Sequence, residues 1–415
     1  MDVYRIAGGR RIGGTARVRA AKNAVLPILA AALLTDETVI VQNCPRIADV
    51  DNMLAILETL GCQCSREGAQ VSIGASGATG WEMPRHLSKS LRSSIFMMGS
   101  ILGRFRRATV TYPGGCEIGQ RPIDLHLKGL RALGVSLREA HGMIYCDGAR
   151  LHGGEVHLDF PSVGATENVM MAAALAPGRS AILNAAREPE IVDLQRFMNA
   201  MGAKIEGAGT DRIVIEGVER LHGACYEPVP DRIVAGTYLV AAAITGGEIE
   251  VSGARGADLA AVLDKLRCAG CEVEAQEAGI FLRAPEKLSA IEVSTQPYPG
   301  FPTDMQAQMM ALCCVASGTS VIVENVFENR FGHAPQLRCM GADIRLFDRM
   351  AVVRGGRLTG ARVAARDLRG GAALTLAGLC AEGVTEVEGV PLIDRGYEAL
   401  DEALNALGAD IRRIQ

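Results

Sequence analysis

A hydrophobic-Gly-small triplet recurs six times along the chain, as Leu60-Gly61-Cys62, Leu133-Gly134-Val135, Met201-Gly202-Ala203, Ala269-Gly270-Cys271, Met340-Gly341-Ala342 and Leu407-Gly408-Ala409. Even spacing of about 70 residues makes each stretch one supersecondary repeat that must bury its apolar face against its neighbours. Glycine after a last hydrophobic residue is how an amphipathic helix ends. Upstream of each triplet lies a second helix built from small apolar residues, such as Lys22-Asn-Ala-Val-Leu-Pro-Ile-Leu-Ala-Ala-Ala and Val163-Gly-Ala-Thr-Glu-Asn-Val-Met-Met-Ala-Ala-Ala. These helices are apolar on every side, which places them inside the fold. Strand-like segments follow them, at Thr38–Val41, Ala108–Thr111, Ser180–Leu183, Glu248–Val251, Thr319–Val323 and Val384–Val387.

The repeats predict an α/β fold of two domains, each with three helix-and-sheet repeats around buried central helices. Two prolines in Tyr226-Glu-Pro-Val-Pro-Asp231 mark the junction between repeats three and four. The first domain is expected over 22–229 and the second over 230–415 together with 1–21. The leading segment Asp2 to Ala20 is left over by the first repeat, so it is expected to pair with the second half of the chain.

Composition narrows the function. The 415 residues carry 43 basic and 47 acidic side chains, well mixed, with no basic run of the kind that binds nucleic acid or a membrane surface. The apolar run Ala24 to Leu34 is too short to cross a bilayer. Twelve cysteines without a signal-peptide pattern read as reduced thiols of a cytoplasmic protein, most of them buried as small hydrophobes, Cys225 and Cys339 among them. Neither Cys268/Cys271 nor Cys62/Cys64 has a second pair at zinc-site spacing, so no metal is expected. Nothing points to an obligatory protein partner.

Charge is placed unusually at the starts of the central helices: Lys22, Arg92, Arg232, Asp304 and Arg369, with Ser162 and Gly164 in the third repeat. Cations normally favour the other end, because the helix dipole is positive at its N-terminus. Converging cations and backbone N–H groups suit a phosphate or carboxylate ligand. Arg121 and Arg395 extend the set, and Asp304, opposite in sign, is a proton acceptor, an N-cap, or both. Cys116 sits among glycines in Pro113-Gly-Gly-Cys-Glu-Ile-Gly-Gln-Arg-Pro122. Beside such positive charge its thiolate is favoured, which suits nucleophilic or proton-transfer chemistry.

The cysteine loop together with Lys22-Asn23, Ser162-Val-Gly-Ala-Thr166, Phe301-Pro-Thr-Asp-Met-Gln306, Glu328-Asn-Arg-Phe331, Asp367-Leu-Arg369 and Ile393-Asp-Arg-Gly-Tyr397 resembles the enolpyruvyl transferases, specifically the UDP-N-acetylglucosamine 1-carboxyvinyltransferases. The resemblance runs in order over essentially the whole chain. It implies an inverse α/β prism of two domains that close over substrate, with no cofactor. It also implies transfer of the enolpyruvyl group of phosphoenolpyruvate to the 3'-hydroxyl of UDP-N-acetylglucosamine, the first committed step of peptidoglycan synthesis.

By the same resemblance Cys116 is the loop residue that protonates or adds to phosphoenolpyruvate and that fosfomycin alkylates. Asp304 is the base toward the 3'-hydroxyl. Lys22, Arg92, Arg121 and Arg395 hold phosphoenolpyruvate, with Arg369 at the same anionic region and Arg330 near the closed site. Asn23 contacts the sugar. Arg121, Pro122, Ile123, Asp124 and Leu125, with Ser162, Val163 and Gly164, cradle the uridine diphosphate, and Val326 joins the substrate contacts. Some members of the family carry lysine at position 160, where this chain has Phe160.

Overall fold

The computed structural model of the chain describes residues 2–90, 92–112, 123–276 and 279–414, with the side chains of 88–93 outside the description. Its residues group into two compact units: one takes in 2–18 and 230–414, the other 19–112 and 123–229.

Six central helices carry the plan: α1 (Lys22–Ala31), α2 (Met97–Phe105), α3 (Val163–Ala174), α4 (Arg232–Thr245), α5 (Gln306–Val315) and α6 (Leu368–Cys380). Burial runs round their whole circumference, as expected from their lack of a polar face. In α3 every residue from Ala165 to Ala174 is buried, and in α6 every residue from Leu368 to Leu379. In the C-terminal unit α4, α5 and α6 pack on one another and on the sheets of their own repeats. In the N-terminal unit α2 packs on α1 and α3. Two helices start later than the sequence suggests. A 3-10 turn, Arg92–Phe96, precedes α2, and another, Thr303–Met305, precedes α5.

The six glycines explain why the repeat is visible. Each sits at positive φ, from 83° at Gly134 to 101° at Gly408, just past a peripheral helix. The N–H after each glycine reaches five residues back to a helical carbonyl: Cys62 to Leu57, Val135 to Leu130, Ala203 to Met198, Cys271 to Leu266, Ala342 to Leu337 and Ala409 to Leu404. This is the Schellman closure, which needs glycine for its left-handed turn and an apolar contact across it. The triplet is therefore the sequence trace of one hydrogen-bond pattern used six times.

The first five repeats build their sheets the same way. The strand after the central helix pairs antiparallel with the second strand of a hairpin and parallel with a short edge strand from the preceding repeat. Glu155–His157 thus lies parallel to Arg179–Leu183, Cys225–Tyr226 to Thr38–Val41, Glu292–Ser294 to Thr319–Val323, and Arg362–Ala364 to Val384–Glu388. In the second repeat that edge is reduced to a single parallel bridge, Glu82 to Thr109. The N-terminal segment completes the scheme in the C-terminal unit. Val3–Ala7 pairs antiparallel with Val384–Glu388 and Ile411–Ile414, and Gly13–Arg17 supplies the parallel edge for Glu248–Ser252. Each unit thereby closes as a ring of three repeats: the last repeat supplies an edge strand to the first in the N-terminal unit, and the N-terminal segment supplies it in the C-terminal unit.

Among the described residues every cysteine is a free thiol. Burial pushes the thiols of Cys62 and Cys271 up to about 11, and those of Cys64, Cys146, Cys313 and Cys380 up to about 12. One expectation is corrected: Cys225 and Cys339 are exposed rather than buried. Cys225 stands on a two-residue edge strand and Cys339 in the last turn of a short surface helix, so their side chains meet solvent.

Candidate active site

In the C-terminal unit two of the charged residues at the central helix starts, Asp304 and Arg369, are brought together. The Asp304 carboxylate, in the 3-10 turn before α5, accepts a hydrogen bond from Arg330 at 2.9 Å through Oδ1 and from Arg369 at 3.1 Å through Oδ2. Both arginine side chains are only 4% exposed, against 26% for Asp304. Burial alone would lower the proton affinity of the Arg369 guanidinium, but Asp304, Tyr397 and Asp231 raise it above the ordinary arginine value. His333 is buried next to Arg330 and Asp367. Desolvation lowers it to about 4, Asp367 opposing and Arg330 assisting, so its imidazole is neutral at physiological pH.

Asp304 does not stand at an N-cap position: Pro302 precedes the turn it occupies and Met305 precedes α5. The local turn is fixed from outside by Glu324, a fully buried carboxylate. It accepts hydrogen bonds from Thr295 Oγ1 at 2.8 Å, from Thr303 Oγ1 at 2.9 Å, and from the N–H groups of Val326 and Phe327. It thereby ties Thr303, the neighbour of Asp304, to the segment carrying Val326. Sequence reasoning missed Glu324, because a lone acid at a strand end gives no periodic or spacing signal.

The helix starts also carry caps that the cation pattern alone did not reveal. Asp231 accepts from the N–H groups of Ile233 and Val234, and Asp367 from those of Arg369 and Gly370. A carboxylate thus stands one residue before Arg232 and two before Arg369, on the positive end of each helix. Asp directly ahead of a cation is a readable signal for this arrangement. Arg395 is half-buried, two residues ahead of the buried Tyr397.

In the N-terminal unit Lys22 opens α1 and its Nζ lies 2.7 Å from Asp49 Oδ2, a carboxylate with no exposure. Asn23 follows, half-buried. Ser162 caps α3, its hydroxyl accepting from the Ala165 N–H at 3.3 Å, with Val163 and Gly164 half-buried in the first turn. Ile123 is buried just before the helix Asp124–Ala132, whose first residue Asp124 is exposed and whose second, Leu125, is half-buried. Asn168 joins this region from α3. Its amide donates to Ile95 O and to His126 Nδ1 at 2.7 Å, and its Oδ1 accepts from the Gly99 N–H. With Nδ1 accepting, the His126 ring proton sits on Nε2. Phe160 is 43% exposed, two residues before Ser162. Cys116, Arg121 and Pro122 lie outside the described residues, as does the Arg92 side chain.

Chemically, the C-terminal cluster offers a carboxylate between two buried guanidinium groups. Such an arrangement can take a proton from a hydroxyl and bind an anion with donors already in place. Among the described residues no group of side chains is arranged to hold a metal ion.

The sequence profile of EPSP synthase (3-phosphoshikimate 1-carboxyvinyltransferase) matches residues 6–404. The chain is 51% identical over 416 residues to UDP-N-acetylglucosamine 1-carboxyvinyltransferase 2 of Caldanaerobacter subterraneus, covering 100% of both chains. It is 50% identical to UDP-N-acetylglucosamine 1-carboxyvinyltransferase of Myxococcus xanthus, covering 100% of this chain and 99% of the relative. Among solved structures, the enolpyruvyl transferase NikO from Streptomyces tendae superposes with a TM-score of 0.89 at 25% identity, covering 99% of this chain and 98% of that one. EPSP synthase from Acinetobacter baumannii, at 19% identity and a TM-score of 0.76 over the full length of both chains, shares the fold.

Proposed function

This chain belongs to the EPSP synthase family of 1-carboxyvinyltransferases, and we propose that within it the chain transfers the enolpyruvyl group of phosphoenolpyruvate to the 3'-hydroxyl of UDP-N-acetylglucosamine, releasing phosphate. The observation that carries this reading is the match at about half identity along the full length of relatives bearing that activity in their names. The reaction is the first committed step of peptidoglycan synthesis. A cytoplasmic location is part of the proposal, supported by the free thiols of the described cysteines. No helix among the described residues is long and apolar enough to cross a membrane.

The reaction is an addition followed by an elimination. The 3'-oxygen bonds to C2 of phosphoenolpyruvate while a proton is delivered to the C3 methylene, giving a tetrahedral intermediate. The C2–O bond to phosphate then breaks as C3 gives back a proton, and the enol ether forms. One group must therefore take the hydroxyl proton and another must protonate carbon. In this proposal Asp304 is the first and Cys116 the second, acting as acid or through a transient adduct. Two further demands fall on the cations, because phosphoenolpyruvate and the intermediate both carry phosphate and carboxylate. Lys22, Arg92, Arg121, Arg369 and Arg395 are assigned to those charges, with Arg330 holding Asp304. Asn23, the Arg121–Leu125 segment, Ser162, Val163, Gly164 and Val326 are assigned to the UDP-sugar.

The test is phosphate release by the purified protein from phosphoenolpyruvate, with UDP-N-acetylglucosamine as acceptor in one arm and shikimate 3-phosphate in the other. Release only in the first arm supports the proposal. Release only in the second moves the chain to the activity named in the family profile, and release in neither removes the transferase reading.

A further inference from the structure

The C-terminal unit holds a buried polar junction that the proposed chemistry does not use. Tyr397 is 1% exposed, and Thr237 on α4 and Gln308 on α5 are not exposed at all. The Tyr397 hydroxyl lies 2.9 Å from Thr237 Oγ1 and 3.1 Å from Gln308 Nε2, and Gln308 Nε2 also reaches Thr237 Oγ1 at 3.2 Å. The direction of each bond follows by elimination. Thr237 spends its only hydrogen on the Ile233 carbonyl, at 2.8 Å, so Tyr397 must donate to Thr237 while accepting from Gln308. That fixes the hydroxyl, and with it the ring, at the point where α4 and α5 meet. The guanidinium of Arg369, at the start of α6, lies over the same ring, 5.5 Å from its centroid, while its other end pairs with Asp304.

The geometry points to Tyr397 as a positioning residue: by locking its ring through Thr237 and Gln308, it sets where the Arg369 guanidinium lies and so where the Arg369–Asp304 pair stands. A neutral ring is suited to this task. Ring and hydroxyl both engage the guanidinium without carrying charge, so the Arg369 charge is answered by Asp304 or by an incoming anion. The junction also draws on all three central helices of the unit, so the placement is registered to the packed core rather than to a loop. The hydroxyl network takes no step in the proposed reaction: the Tyr397 hydroxyl is bonded to Thr237 and Gln308, and its hydrogen bond with Arg369 helps to raise the proton affinity of that guanidinium. This inference rests on the proposed role of Arg369 toward phosphoenolpyruvate.

Two variants separate positioning from plain stability. Tyr397→Phe keeps the ring but frees it, and removes one of the two acceptors of the Gln308 amide, leaving Thr237. Tyr397→Phe/Gln308→Leu also removes the amide, whose Oε1 already has no hydrogen-bond partner among the described residues. Taking away both partners of a buried bond is often close to neutral in stability, whereas taking away one is not. The single variant is expected to melt about 2–4 °C below the wild type, and the double variant to recover most of that loss. The KM for phosphoenolpyruvate is expected to rise about tenfold in both, with the Kd for UDP-N-acetylglucosamine unchanged. A KM that returns to the wild-type value together with the melting temperature overturns the inference, because the network is then structural only. The Arg369 Nε–H resonance, assigned by its absence in Arg369→Lys, gives a readout that needs no turnover. It is expected to move in Tyr397→Phe, and coincidence with the wild type overturns the inference. A moved resonance with an unaltered phosphoenolpyruvate KM supports the placement and removes the assigned role of Arg369 instead.

Discussion

Removing the Asp304 carboxylate tests the candidate site and its energetics together. Asp304→Ala leaves the guanidiniums of Arg330 and Arg369, each with 4% exposure, without the carboxylate both now contact. Breaking a fully buried pair by deleting one partner costs about 3–5 kcal/mol. Asp304 itself is 26% exposed, so water screens part of the loss, and about 2–3 kcal/mol is the reasonable magnitude. For a unit of this size that corresponds to a melting temperature lower by about 5–10 °C. Asp304→Asn keeps one oxygen acceptor and is expected to lose about half as much. An anion should substitute for the missing carboxylate, so inorganic phosphate at a hundred times its Kd is expected to restore about 2.7 kcal/mol to the Ala variant. Differential scanning calorimetry with and without phosphate measures both effects, and phosphate-release kinetics gives the functional side. Turnover is expected to fall at least a hundredfold with UDP-N-acetylglucosamine affinity changed only a few-fold. An Ala variant that melts with the wild type and gains no more from phosphate refutes the electrostatic argument, and wild-type turnover in that variant removes Asp304 as the base.

Three further outcomes are expected. Fosfomycin is expected to inactivate the wild type but not Cys116→Ser, with intact-protein mass spectrometry showing one adduct lost; equal inactivation of the variant would place the target elsewhere. Glu167 on α3 is fully buried, neither of its oxygens has a partner among the described residues, and desolvation, with Glu190 and Glu188 facing it, raises its pKa well above the ordinary carboxyl value. Its folded-state pKa therefore exceeds the unfolded one, so its contribution is complete at pH below the ordinary carboxyl range and is lost as pH rises; Glu167→Gln should gain melting temperature over the wild type between pH 5 and pH 8, and parallel curves would contradict this. Gly408→Ala and Gly134→Ala both force alanine to a left-handed turn, at about 1–2 kcal/mol, but only at Gly134 would the new Cβ meet a backbone carbonyl, Arg150 O at 2.4 Å, against 3.5 Å to Arg11 O at Gly408. Chemical denaturation should rank Gly134→Ala as clearly the more damaging, and equal losses would mean that the turn conformation alone decides.

What the sequence revealed was what repeats, and what it concealed depends on contacts far apart in the chain. The Schellman closure needs glycine and an apolar contact between the residue after it and the one four before it, so six copies at even spacing stood out. The six central strands were readable from their β-branched residues, and lie within a residue or two of their expected bounds. The edge strands were not, because Cys225–Tyr226 and Glu155–His157 are only two and three residues long and owe their conformation to the neighbour they pair with. The cations at the helix starts were visible, whereas their partners were not. Asp49 lies 27 residues after Lys22 and Arg330 lies 26 after Asp304, separations that no local pattern encodes.

Those hidden partners resolve the paradox that the sequence posed. Cations at the positive ends of buried helices would repel both the dipole and one another if they stood alone. In the folded chain Lys22 is met by Asp49 and Arg369 by Asp304, while Asp231 and Asp367 cap the helices that carry Arg232 and Arg369. The cost of gathering positive charge is thus offset within each unit before any ligand arrives. An anionic substrate must then compete with a carboxylate for its arginine, and success has a chemical consequence. Drawing Arg369 toward phosphate or carboxylate loosens its hold on Asp304, and a carboxylate less tightly held by cations is a stronger base. In the proposed reaction, binding of the anionic substrate and activation of the base are one exchange of partners.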